Sequence, residues 1–517
     1  MVIKMTMRKA SWVRFILVTG AFLLLLPLTR AQQYNYDANC EHAYASILSL
    51  RFLEARQMIA LEKKAVPGNL LPLYLDNYID FLTLVIGEER NVYNQLKDKK
   101  GERITNLEKG PRDSPFYNFC LGEVHMQWAF ARLKFGDYGT AAFEIRKAYG
   151  YFSANEQRYP SFIINKMGLG MLHVIVSLVP ENFKWVSTLV GLKGDMELGL
   201  NEIRQVAGYP GPDKITRLYK PEASFFLAFL AVNLQKNKRD AMPVLDLLKS
   251  QRDGDQTLES PLLIYARASV LMKNGFNDEA LVALQERSSL APSFNFYYLD
   301  YLEGMARLNK LDYGASAYFE RYLAGFRGRN YIRSAYQKLA WIAILGGDTA
   351  GYYRTIRLAL TRGEAVVDED RQAGFEAVSD VAPNLLLLRA RLLFDGGYYN
   401  LALGVLLNNS LTTTLKSKRD LVEYTYRLGR TYHETGNFAR AVEYYRQTVL
   451  NGKMEPWYFA AGAAYQMGLL FENKGAFSRA DSAYRLCLSI KSPEYRTSLD
   501  QKARAGLNRL KTAQPKI

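Results

Sequence analysis

Small, aromatic and polar residues return at fixed offsets through the last third of the chain. Gly429, Tyr432, Gly436, Phe438, Ala441 and Tyr445 have counterparts in Gly468, Phe471, Gly475, Phe477, Ala480 and Tyr484, each 39 positions further on. Between these positions the residues are mostly polar. The pattern predicts a pair of helices. Gly436 ends the first, because a left-handed cap conformation suits glycine. Gly429 and Ala441 mark the crossing, where small side chains let two backbones approach. Tyr432, Phe438 and Tyr445 fill the space between successive helices. One pair cannot bury its apolar stripe alone, so the pairs must stack.

The same frame recurs with losses. Crossing residues fall at 268, 304, 340, 390, 429 and 468, spaced by 36, 36, 50, 39 and 39 residues. An earlier unit is marked by Ala129, Gly136, Tyr138 and Ala141. The 304 unit has Glu320 where an aromatic is expected, and the 340 unit has Tyr352 where Ala is expected. The long interval holds an insertion near Thr361–Asp380 that contains the acidic run Asp368-Glu369-Asp370.

These residues resemble the tetratricopeptide repeat (TPR), whose repeat is about 34 residues. The resemblance implies an all-α fold, a TPR-like solenoid of stacked antiparallel helix pairs. It also implies a scaffold whose first helices line a concave groove for a protein or peptide. Positions 2, 5, 9, 12 and 13 of each first helix face that groove in the family. Carried over, they give Glu423, Tyr426, Arg430, His433 and Glu434 in one repeat, and Tyr465, Glu472 and Asn473 in the next. The helix after Pro493 closes the stack and presents Arg504. Arg430 and Arg504 are expected to hold a carboxylate through paired N–H donors, with Tyr426 and Tyr465 against the peptide stem. The carboxylate-binding members of the family carry Lys at position 5 and Asn at position 9. Tyr426 and Arg430 stand there instead.

The N-terminus reads differently. Residues 1–31 carry Lys4, Arg8, Lys9, Arg14 and Arg30 and no acid, and Phe15 to Leu28 is a 14-residue apolar run. Thr29 and Ala31 stand three residues and one residue before a cleavage point ahead of Gln32. This is the layout of a secretory signal peptide, and the run is short of the roughly 20 residues that span a bilayer. No lipid-attachment motif precedes Cys40. The chain is therefore expected to be exported, periplasmic or extracellular, and similar to exported TPR proteins of Gram-negative bacteria. Peripheral contact with the cell envelope is compatible with that address. The organisation expected is a signal peptide at 1–31, a divergent TPR-like helical region at 32–210, degenerate repeats at 211–380, and C-terminal repeats with a capping helix at 381–517. Residues 38–98 read as two long helices broken at Pro67-Gly68. Phe162 to Val179 reads as a buried helix.

Composition adds little. Of 517 residues, 49% are apolar and 23% charged, with a net charge of +16. Basic and acidic residues are interleaved, so the excess marks solvated helix faces and not a nucleic-acid surface. Three cysteines are too few for a disulfide scaffold. Gly168 and Gly170 supply two of the three glycines of a dinucleotide fingerprint, but inside a helical stretch. Gly314-Ala-Ser316 lacks the second glycine of a nucleophile elbow. His433-Glu434 has no second histidine at helical spacing. No catalytic residue, cofactor or metal is expected, and the chain reads as a non-enzyme. The other reading kept open is an outer-membrane glycan-binding protein of the starch-uptake type, which stacks sugars on exposed rings. The 35 tyrosines and five tryptophans motivate it.

Overall fold

The computed structural model describes residues 31–178, 191, 194–234, 242–254, 260–289 and 294–513. Residues 1–30, most of the segment expected from the sequence to be a signal peptide, lie outside them. Among the described residues the chain is an α-solenoid with no strand. A single parallel bridge joins Gln33 to Asn69. Every frame read from the sequence is a helix pair. The pairs are Pro115–Lys134 with Tyr138–Arg158, Pro261–Lys273 with Asn277–Gln285, and Tyr298–Asn309 with Ser316–Gly325. Ile332–Leu345 pairs with Thr349–Thr361, and Leu385–Asp395 with Tyr399–Leu406. Lys418–Glu434 with Phe438–Gly452 and Phe459–Asn473 with Phe477–Ser489 complete the stack, and Arg496–Ala513 caps it.

The crossings are as tight as the small residues require. A methyl group on Gly429 would lie 2.6 Å from the Tyr445 ring, and one on Gly468 would lie 2.5 Å from Tyr484. Gly436 adopts φ 81°, where only glycine is unstrained. The next residue, Asn437, turns its side chain to accept from Arg440 N at 3.3 Å and starts the second helix. In the 304 unit the equivalent of Gly436 is Leu311, held at φ 62°. The turn survives there without its glycine because Asp312 still caps, accepting from Gly314 N at 2.9 Å.

Three departures from the sequence reading have physical causes. Residues 38–98 form four helices, not two: Ala38–Leu48, Phe52–Ala65, Leu71–Gly87 and Arg90–Leu96. The break at Pro67-Gly68 is present. The added breaks fall at Leu50 and Glu88, both with left-handed backbones (φ 57° and 56°) that no glycine announces. The insertion near Thr361–Asp380 adds an element that the repeat frame does not contain. It carries the helix Asp368–Ser379, whose buried Asp370 accepts from Tyr331 N at 2.6 Å and Ser334 N at 3.0 Å. Asp370 thereby caps a neighbouring helix from outside. The oversized Tyr352 in the same unit is explained by that helix too. Its hydroxyl donates to Glu376 at 3.0 Å, and Trp341 Nε1 donates to the same carboxylate at 2.8 Å.

The apolar stretch after Phe162 is the helix Asn165–Ser177. Its polar interruptions are satisfied: Asn165 donates to Phe152 O at 3.0 Å, and His173 pairs with Glu202 at 2.7 Å. Gly168 and Gly170 are crossing residues. Gly168 abuts Phe152, and a methyl on Gly170 would lie 2.6 Å from the carbonyl oxygen of Gly199 in the helix Met196–Ala207. No helix of the described residues is long and apolar enough to cross a membrane. Cys40, Cys120 and Cys487 are free and buried.

Candidate functional site

The first helices of three consecutive repeats, Leu385–Asp395, Lys418–Glu434 and Phe459–Asn473, stand side by side, and the capping helix Arg496–Ala513 follows them. Together they line a cavity of about 190 Å³. Its walls carry four cations (Arg391, Arg427, Arg430 and Lys502), one acid (Asp395), and the rings of Phe394, Tyr426, Tyr458, Tyr465 and Tyr495. A smaller cavity of about 40 Å³ shares Arg391, Arg427, Tyr458 and Tyr495 with it and reaches Gln337, Gln372 and Glu376. The two cavities adjoin across these shared walls.

The cations differ in how they are held. Arg427 makes a two-bond pair with Glu423, at 2.8 and 2.5 Å. The Arg391 guanidinium lies 4.7 Å over the Trp341 ring and 3.7 Å from Asp395. Arg430 stacks 4.8 Å over Phe394, and its Nη1 donates to the Tyr426 hydroxyl at 3.3 Å. Its Nε is buried with no hydrogen-bond partner. Lys502 makes no ion pair among the described residues. The surrounding protein, and after it Lys273 and Arg430, pull its ammonium below the ordinary lysine value. Lys273, at the end of the helix Pro261–Lys273, is lowered likewise by its surroundings and by Arg430. Both lysines are exposed. Burial pushes the Tyr458 and Tyr465 hydroxyls up to about 12, so both are neutral donors at ordinary pH.

The residues expected from the sequence divide. Tyr426, Arg430 and Tyr465 meet in the cavity. Tyr426 is only 5% exposed, with its ring against Tyr458 and Phe459, so its hydroxyl is what it offers. His433 does not line the cavity. Its Nδ1 lies 3.3 Å from the Tyr445 hydroxyl. Glu472 is committed to structure: Arg509 donates to it at 2.7 and 2.6 Å and Tyr484 at 2.5 Å, which ties the capping helix to the last repeat. Arg504 is exposed and absent from the cavity lining, where Lys502 stands instead.

Arg391, Arg427, Tyr458, Tyr495, Lys502 and Lys273 were missed by sequence reasoning. Arg391 was within reach, because it occupies position 9 of the 390 unit. Tyr458 and Tyr495 precede their helices, and Lys273 comes from a repeat more than a hundred residues away, so no local spacing marks them.

Comparison with known proteins bears on the same repeat. The tetratricopeptide repeat family model matches residues 422–449, the helix pair that carries Tyr426 and Arg430. No curated protein matches the chain. Among solved structures, the chain is similar to one in the crystal structure of the APC/C hetero-tetramer Cut9-Hcn1. The two are 13% identical, the match covers 94% of this chain and 98% of that one, and the TM-score is 0.24.

Proposed function

We propose that this chain is an exported scaffold that binds a segment of another protein in the concave groove of its C-terminal repeats, residues 381–517. One observation carries the reading: the first helices of successive repeats line adjoining cavities walled by cations and tyrosine rings. Extended peptides are held by such combinations, through charge, hydrogen bonds and ring packing. The repeat match at 422–449 supports a protein-interaction role, since stacked helix pairs present extended binding faces. Export rests on the basic and apolar segments before Gln32 alone, and intact mass of the secreted protein tests it. A mass that retains residues 1–31 refutes cleavage.

The groove itself is tested by capture from envelope extracts with wild-type protein and Arg430→Ala. A stoichiometric partner held by wild type and weakened about tenfold or more by the substitution is expected for a central interface residue. A partner held equally by both proteins would move the interface elsewhere. Saturable binding on a glycan array with no protein partner would favour the starch-uptake reading.

A further inference from the structure

We propose that Lys338 is a carbon dioxide site, whose side-chain amine takes up CO2 as a carbamate beside Arg391. Lys338 lies in the helix Ile332–Leu345 and is 5% exposed, the one buried lysine among the described residues. Half-buried lysines elsewhere are neutralised, Lys100 by Glu144, Lys134 by Glu88 and Lys166 by Glu156. Among the described residues Lys338 makes no ion pair, and its amine donates to the neutral Gln337 Oε1 at 2.7 Å. Its Nζ lies 3.8 Å over the Trp341 ring. The Arg391 guanidinium, from the helix Leu385–Asp395, lies 4.7 Å over the same ring. Arg391 makes no hydrogen bond among the described residues, and its ion pair with Asp395 is long, at 3.7 Å. Two cations thus share one indole, with no carboxylate paired to the lysine.

A lysine that is desolvated and set beside another cation is a nucleophile at ordinary pH, because the neutral amine is favoured over the ammonium. Burial, and after it Arg391, pull Lys338 down to about 7, while Glu376, Glu369 and Asp395 act the other way. The amine lone pair attacks the carbon of CO2. A C–N bond forms, one C–O π pair moves onto oxygen, and a nitrogen-bound proton leaves to solvent. The product is a carbamate anion, with no change of oxidation state. CO2 suits the enclosure because it is small and uncharged, with no ionic hydration to lose on entry. The cavity of about 40 Å³ that Gln337 and Arg391 line admits a molecule of that size. Once formed, the anion turns a like-charged pair into an opposite-charged one, and the unused N–H groups of Arg391 hold its oxygens. Arg391 lines both cavities, so its neutralisation ties the charge of their walls to dissolved CO2.

The test uses the full mature chain, residues 32–517, with isotope-labelled bicarbonate as the source of CO2 and carbon NMR as the readout. The difference between wild type and Lys338→Met should contain a carbamate resonance. Exposed lysines such as Lys453 contribute equally to both proteins and cancel. At fixed CO2 pressure the resonance should saturate with added CO2 and strengthen as pH rises through about 7, where the amine loses its proton. Arg391→Gln leaves the amine but removes the partner of the anion, and should weaken the resonance severalfold. At constant pH, CO2 should raise the melting temperature of wild type and not of Lys338→Met, because the carbamate forms only in the folded chain. Lys338→Arg, which keeps the charge and cannot react, takes the place of Lys338→Met should that variant fail to fold. A difference spectrum without a carbamate resonance overturns the proposal, and so does a resonance undiminished in Arg391→Gln. A melting temperature raised equally by CO2 in wild type and variant overturns it too.

Discussion

Glu222 is the residue whose chemistry is most at odds with its place. It lies buried in the helix Lys214–Leu234 and accepts hydrogen bonds from the hydroxyls of Tyr44 and Tyr78. Burial raises its carboxyl to about 7, against the pull of those two donors. Glu123, also buried and with one oxygen unpartnered, is raised by burial and by Glu222. In the folded chain Glu222 holds its proton far above the ordinary glutamate value of 4.5. The sign follows from linkage. Its contribution to stability is fully present below about pH 4.5 and is lost as pH rises through about 7, by on the order of 3 kcal/mol. Asp370, raised to about 6 by burial, acts in the same direction. The melting temperature of wild type is therefore expected to fall between pH 5 and pH 8. Glu222→Gln keeps an acceptor for both tyrosines and should flatten part of that fall, leaving the share of Asp370 and the share of Glu123 that burial alone sustains. Calorimetric melts across this range check it, and an undiminished slope in the variant would contradict the assignment.

At the scale of the element, the helix pair was legible because its determinants are local. A crossing glycine, a turn glycine and an aromatic sixteen residues on lie within one repeat, and each is forced by contact between adjacent helices. Gly468 shows the force of that contact, since a methyl there would sit 2.5 Å from Tyr484. Gly468→Leu should lower the melting temperature. Over-packing typically costs about 1–3 kcal/mol, and removing a glycine from a helix returns only about 1 kcal/mol of it. A raised melting temperature would show that the crossing is placed wrongly. The capping helix was less legible, for it has no following repeat to set its rotation. Ala503, Gly506 and Leu510 face inward, with Gly506 against Tyr484. With 503 inward, 502 and 504 fall about 100° to either side, and it is 502 that reaches the cavity. Arg504 lies on the other flank of the same helix, outside the cavity lining. The extra breaks at Leu50 and Glu88 were hidden for a related reason. Their left-handed backbones are held by tertiary contacts, among them Ser260 donating to Leu48 O and Asn330 N donating to the Glu88 carboxylate at 3.1 Å.

Those contacts belong to the whole molecule, which is more than a nearest-neighbour stack. The turn of the 268 unit touches the turn of the 390 unit. Asn277 donates to the Tyr398 hydroxyl at 3.1 Å, and that hydroxyl donates to Asp278 at 2.9 Å, across 120 residues of chain. Gly275 and Gly397 meet backbone to backbone, so that a methyl on Gly397 would fall onto the Gly275 carbonyl. Gly436 holds the same position in its own repeat with a similar φ, 81° against 83°, but nothing lies within 4 Å of its added methyl. The two glycines therefore separate a local requirement from a global one. Gly436→Ala meets only the left-handed backbone, at about 1–2 kcal/mol. Gly397→Ala meets that and must also displace a second repeat, an over-packing of about 1–3 kcal/mol more. Denaturant unfolding of both variants should show the larger loss at 397. A solenoid whose repeats touched only their neighbours would give equal losses.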